Sequence, residues 1–440
     1  MKNYFFFVLI VTAFSCAKSD PNFKLSDPKG SVQLIQTFGG SKNDLARSVV
    51  ATKDGGFAVV GCTQSTDGDV TDKTSESYDL WVLKFDSECL LQWSRTYGGS
   101  GDDRGSDLIQ TSDGFAVLGY TDSLDGDVTT SMGHRDFWLL KTEVDGALSW
   151  QKAYGYSGAD EGISLIETPE KDFILSGVLD VTASGGSGNL AKSSKRHAGG
   201  DYWSIKVSSL GTLIWARSYG GSLNERPFGI AQNSKGELVV VGSSDSSDAD
   251  ITSNKGSYDF WIVKSDATGH LLWEASYGGA EIDEARGIIS SEDGNYVIVG
   301  DTRSNQEDVS FNNGAADLWL IKISEDGTLL WNRSIGGTNF DVARSLYKTY
   351  DDGFVISGSS RSSDGDVAKN QGQNDAWIVK TNNKGELLWE ATVGGTNIDF
   401  AYDAVQLTDG SIIAVGDTNS FDGDIPQNKG LTDALIIKIK

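Results

Sequence analysis

Positive charge is scarce in this chain. Thirty-seven Lys and Arg stand against 62 Asp and Glu in 440 residues, a formal charge of −25. Nucleic-acid binding needs a basic footprint against phosphate, so that class of partner is excluded. Cysteine is scarcer still, with three residues, too few for a disulfide framework. Cys62 ends one expected strand and Cys89 sits at a hairpin on the opposite edge, a placement that argues against a bridge. Histidine also numbers three, and they form no metal-ligand set. No nucleophile elbow, no phosphate-cradling glycine loop and no 3.6-residue apolar period is present, which excludes helical solenoids. Acid pairs abound, but they recur at a fixed period, whereas a catalytic dyad should stand once.

Long apolar runs are missing too. The run Tyr4 to Phe14, after Lys2, is too short to span a bilayer and reads as an export signal over residues 1–15. Its loss removes one positive charge, Lys2, so −25 becomes −26. Ala13-Phe14-Ser15-Cys16 resembles a bacterial lipobox, which implies an acylated Cys16 and an outer-membrane or cell-surface lipoprotein. It departs from that motif at Ala13, where Leu is usual, and at Phe14, where a small residue is usual. Residues 16–30 are polar and proline-containing, as a flexible tether would be.

Against these absences stand twelve tryptophans, all at two phases of one repeat of about 58 residues. Trp81, Trp138, Trp203, Trp261, Trp319 and Trp377 each follow an aspartate by two residues. Trp93, Trp150, Trp215, Trp273, Trp331 and Trp389 each precede a repeat glycine by five. Those glycines are Gly39, Gly98, Gly155, Gly220, Gly278, Gly336 and Gly394, so there are seven units. The fifth unit predicts four strands: Ala285 to Ser291, Tyr296 to Gly300, Asp317 to Lys322 and Leu329 to Trp331. The first and last pairs are joined by Asp-Gly hairpins at Asp293-Gly294 and Asp326-Gly327. Strands this apolar must be covered on both faces. The pattern predicts an all-β fold over residues 31–440, a seven-bladed β-propeller of four-stranded blades. Each indole buries about 150–250 Å², an upper bound of roughly 4–6 kcal/mol at about 25 cal/mol/Å².

The seventh unit carries only three strand patterns, and the fourth, Val32 to Gly40, lies at the other end of the chain. The ring is therefore expected to close by pairing the N-terminal strand into the last blade, which removes a free edge. Both tryptophan sites of this composite blade are leucine, Leu34 and Leu435.

Segments such as Thr268-Gly269-His270-Leu271-Leu272-Trp273 with Tyr277-Gly278-Gly279, and Tyr258-Asp259-Phe260-Trp261-Ile262-Val263-Lys264, resemble the propeller repeats of secreted and lipid-anchored proteins of Bacteroidota-type bacteria. The resemblance covers residues 31–440. The Gly-x-Leu-Leu-Trp element is also similar to the tryptophan-docking motif of quinoprotein-like propellers. That second likeness implies a fold and no cofactor, and seven units depart from the usual eight.

The two long loops of each unit, between strands two and three and between blades, open on one face, where function is expected. Three features lie there. Asp67-Gly68-Asp69, Asp125-Gly126-Asp127, Asp364-Gly365-Asp366 and Asp422-Gly423-Asp424 are tight turns whose alternate carboxylates, Asp67, Asp69, Asp125, Asp127, Asp364, Asp366, Asp422 and Asp424, offer oxygen ligands for calcium. An acid five residues past each repeat glycine recurs in every unit and reads as a latch. The positions beside it vary: Arg104, Arg226 and Phe400 one residue on, and Arg47, Phe228, Arg286, Arg344 and Tyr402 three on. Arginines with aromatics suit a carbohydrate, a carboxylate or a protein hot spot; a rim of arginines paired to the acids is the alternative. The third feature is a seven-residue insertion in unit three, which carries the basic cluster Lys195, Arg196 and His197, with His134 in the matching loop of unit two.

These features predict a monomeric, non-catalytic binding or scaffold module for a protein or glycan, held at the membrane by a lipid. No cofactor is expected, with calcium the one alternative. Two competing readings are calcium-dependent adhesion and a propeller-type polysaccharide lyase or glycoside hydrolase. For an enzyme, the nominated group is Arg104, His134, His197 and Tyr202, which supplies a cation and proton carriers.

Overall fold

A computed structural model describes residues 30–181, 197 and 199–440. Among these, twenty-eight strands form seven four-stranded antiparallel sheets. The first strands of the seven blades are Asp44–Ala51, Asp103–Gln110, Glu161–Glu167, Glu225–Gln232, Asp283–Ser290, Asp341–Lys348 and Asp399–Gln406. They pack on one another around a central axis, and the other three strands of each blade step outward. This is a seven-bladed β-propeller.

The ring closes as expected. Val32–Phe38 pairs antiparallel with Asp433–Ile439, placing Thr37 opposite Leu435 and Leu34 opposite Lys438. Blade 1 has the same register, with Thr96 opposite Trp81 and Trp93 opposite Lys84. Leu435 and Leu34 thus fill the two tryptophan sites of blade 7.

Strands such as Asp259–Ser265 and Asp375–Thr381 are buried at every residue, because both faces of a blade pack on its neighbours. The core is accordingly divided among the blade junctions. Trp261 of blade 4 packs on Tyr202 and Ile174 of blade 3, and Trp319 of blade 5 on Phe260 of blade 4. The second tryptophan set is half-buried and docks on a hairpin glycine of the next blade. Trp215 lies under Gly269, and Trp389 under Gly30, which takes the hairpin place in blade 7.

Strands one and two extend slightly beyond the sequence reading, reaching Asp283 and Thr302. The Thr302 hydroxyl donates to the Asp283 carboxylate and so lengthens the pairing. Every recurring acid in front of a third-strand tryptophan, or of Leu435 in blade 7, has a structural partner. Asp259, Asp317, Asp375 and Asp433 accept from the backbone amides of Lys255, Asn313, Gln371 and Lys429, and Asp136 from Met132. In blades 1 and 3 a side chain does this work, Lys73 for Asp79 and His197 for Asp201. Cys62 and Cys89 are buried and unbridged.

Candidate functional site

Each first strand slips register at the same point. Pairing jumps across Ala46/Ser48, Gly105/Asp107, Gly162/Ser164, Pro227/Gly229, Ala285/Gly287, Ala343/Ser345 and Ala401/Asp403. The skipped residue of such a bulge is left unpaired and the strand bends, which re-aims its side chain. Here the skipped residues are Arg47, Ser106, Ile163, Phe228, Arg286, Arg344 and Tyr402, and all seven line one axial cavity of about 590 Å³. A glycine on the second strand makes room for each bulge. At Gly358 a Cβ would lie 1.9 Å from the Val342 carbonyl oxygen, and the other six blades have the same close approach.

The bulge column is therefore the variable, axis-facing position of the repeat. With Arg104 and Arg226, one residue past the latch acid, it brings five arginines to the cavity. Four of them have carboxylate partners. Arg47 Nη1 lies 2.9 Å from Asp417 Oδ2, and Arg104 holds Asp102 through Nε at 2.7 Å and Nη2 at 3.1 Å. Arg226 pairs with Glu161 at 3.0 Å and Arg286 with Glu284 at 2.7 Å. Aromatic rings support several of them: Arg47 lies 3.9 Å over Tyr402, Arg104 3.9 Å over Tyr78, and Arg286 4.1 Å over Phe228. Burial pushes the Arg286 guanidinium below its ordinary pKa, and burial raises the nearby Asp301 to about 6. Phe400 packs against Tyr402 at 5.7 Å between ring centres.

A singular acid pair faces the same cavity. Ser48 Oγ lies 3.0 Å from Asp107 Oδ1 and 3.0 Å from Asp403 Oδ2. The single hydroxyl proton is shared between two acceptors unless one carboxyl group carries a proton of its own. Burial, with the charge of Asp403 adding to it, lifts Asp107 to about 7. Both carboxylates also bind backbone: Asp107 accepts from Leu108 and Leu165, and Asp403 from Val49 and Ala404. They join blade 2 to blade 3 and blade 7 to blade 1. The sequence reading passed over this pair, although it occupies the column next to the bulge, which reads Ser48, Asp107, Ser164, Gly229, Gly287, Ser345 and Asp403 across the blades.

The Asp-Gly-Asp carboxylates are committed to amide donors. Asp67, Asp125, Asp364 and Asp422 accept from Ser41, Ser100, Thr338 and Thr396, while Asp69, Asp127 and Asp366 accept from Gly39, Gly98 and Gly336. Asp424 takes Lys369 and Gln371 instead. The turns staple the two long loops together, and among the described residues no group of three or more acid, His or Cys side chains is arranged to hold a metal. The latch acids are likewise structural; Asp283, for example, accepts from Gly279 N, Ser304 Oγ and Thr302 Oγ1.

The four residues nominated for an enzyme do not converge. Arg104 lines the cavity. Tyr202 is fully buried in the junction of blades 3 and 4, its hydroxyl donating to the Trp261 carbonyl at 3.0 Å. His197 binds Asp201 through Nδ1 at 2.6 Å, and that bond raises its pKa. His134 is exposed in its loop. Lys195, Arg196 and Cys16 lie outside the described residues.

No family model and no curated protein matches this chain. Among solved structures it is similar to the WD40 domain of Neurospora crassa Pan2, at 10% identity and a TM-score of 0.48, over 94% of this chain and 96% of that one. It is similar to a putative 6-phosphogluconolactonase from Bacteroides fragilis at 14% identity and 0.44, over 83% and 89%. A protein of unknown function from Bacteroides caccae matches at 12% and 0.40, over 72% and 90%.

Proposed function

We propose that this chain is a non-catalytic binding module, exported and held by a lipid on Cys16, that receives a protein or glycan partner at the axial cavity from the long-loop face. The observation that carries the reading is the bulge column. Seven rigid, equivalent positions project to one cavity, and they hold Arg, Ser, Ile, Phe and Tyr where a purely structural position would repeat. Arginines backed by aromatic rings are the chemistry of a recognition hot spot.

The test is a pull-down from cell envelopes and a glycan array, each run with the mature protein and with the double variant Arg104→Gln/Arg226→Gln. Retention of a partner by the parent and its loss in the variant supports the reading. Equal retention by both moves the site elsewhere. Metabolic labelling with a fatty-acid analogue, present in the parent and absent in Cys16→Ser, tests the anchor.

One observation favours a second reading, a glycoside hydrolase: the Asp107–Ser48–Asp403 constellation occurs once and joins two carboxyl groups through one hydroxyl. Release of reducing ends from a polysaccharide panel, abolished by Asp107→Asn, would establish it over the binding module.

A further inference from the structure

Arg344 is the exception among the cavity arginines. Its four counterparts hold carboxylates, whereas Arg344 forms no ion pair among the described residues and its Nε is buried without a hydrogen-bond partner. On the neighbouring blade, Arg286 Nε is also buried without a hydrogen-bond partner, 3.9 Å from Asp301 Oδ1, while its Nη2 holds Glu284. A buried guanidinium N–H without an acceptor is costly. Delivered by a bulge into the cavity, the unpaired Arg344 is a preorganised fork for a planar two-oxygen anion, with the charge of Arg286 on the adjacent blade beside it.

The cavity sets the size and character of what carries that anion. About 590 Å³ lies within the range of small-molecule sites and far exceeds a bare ion. Its remaining wall mixes apolar side chains such as Leu45, Ile163, Ile230, Ile288 and Leu346 with hydroxyl and carboxyl groups, Ser48, Ser106, Ser164, Asp107 and Asp403, on the arc of blades 1, 2, 3 and 7. The polar groups match the hydroxyls of a sugar, and the apolar ones match its C–H faces. The net charge of −25 disfavours entry of a polyanion and tolerates a single carboxylate.

We infer that the cavity binds a sugar acid with one carboxylate, a uronate of one or two residues, whose carboxylate sits on Arg344 beside Arg286 and whose hydroxyls meet the serine and aspartate arc. This rests on the binding-module reading above and names its ligand class.

Calorimetric titration of the mature protein with D-glucuronate, D-galacturonate, D-glucose, acetate and an acidic peptide tests it. One of the uronates is expected to bind, glucose not at all and acetate at least tenfold more weakly. Arg344→Gln is expected to lower uronate affinity at least tenfold, the loss of a charge-assisted pair, and Arg344→Lys to lower it less. Melting curves and near-ultraviolet circular dichroism of each variant establish that it is folded. Uronate and acetate binding alike would reduce the site to a plain anion site and overturn the inference. So would binding of the peptide alone, an unchanged affinity in folded Arg344→Gln, or no uronate binding by the parent. If no uronate binds while Arg104→Gln/Arg226→Gln still loses its envelope partner, this inference fails and the binding-module reading stands.

Discussion

The Arg47 guanidinium reaches across the ring seam to Asp417, at 2.9 Å, joining blade 1 to blade 7. Asp417 is almost fully buried, and burial raises its pKa against the pull of Arg47. Removing the arginine strands a buried carboxylate, so Arg47→Ala is expected to cost roughly 2 kcal/mol. Arg47→Met/Asp417→Leu should recover most of it. Urea denaturation of the two variants measures this; equal stability of Arg47→Ala and parent would remove the seam from the stability argument.

Several structural carboxyls titrate high because they are buried. Asp107, Asp259 and Asp317 are lifted to about 7, and Asp160, Asp375 and Asp433 to about 6. An unfolded aspartate titrates near ~3.9. Between those values the folded chain holds more protons than the unfolded one, so stability falls as pH rises from about 4 to about 7. Thermal melts at constant ionic strength are expected to give a higher midpoint at pH 5 than at pH 8. Asp259→Asn, which mimics the protonated form, should flatten that slope.

Gly358→Ala places a Cβ against the Val342 carbonyl, where no side chain can move aside. A loss of roughly 3 kcal/mol is expected from overpacking. Gly55 has φ +88 with the nearest atom 3.8 Å from a Cβ, so Gly55→Ala should cost only the left-handed backbone strain, about 1 kcal/mol. Similar losses for the two would show that bulge and glycine are not coupled.

The Asp-Gly-Asp turns also accept a residue with a Cβ, Ala249 in unit four. The staple bond to the repeat-glycine carbonyl is 3.0 Å from Asp69 and 2.8 Å from Asp424, but 3.2 Å from Asp250, which follows Ala249 (φ +56). Ala249→Gly is expected to stabilise by about 1 kcal/mol, read as a shift in the urea midpoint. With the carboxylates engaged by amides, a chelator is expected to leave the melt unchanged. A lower midpoint in chelator would restore the calcium reading.

Blade number and closure were legible because they are periodic or local signals: two tryptophan phases, Asp-Gly hairpins, and a leucine at both sites of one blade. The cavity arginines were legible as varying columns in a rigid repeat. Asp107 and Asp403 were missed because acids so often recur with the blade, and only the bulge, invisible in sequence, tells which column faces the axis. Tyr202 misled for a related reason. Where both faces of a strand are covered, alternation does not distinguish a side chain facing a cavity from one in a blade junction. His197 met a partner four residues away, Asp201, instead of His134 in the next unit.

Ring closure also fixes the side on which the chain enters the ring. The outermost strand of blade 7 starts at Val32 on the hairpin side, since Gly30 occupies the hairpin position against Trp389. If the lipid on Cys16 proposed above is present, its tether would meet the propeller on the side opposite the long loops.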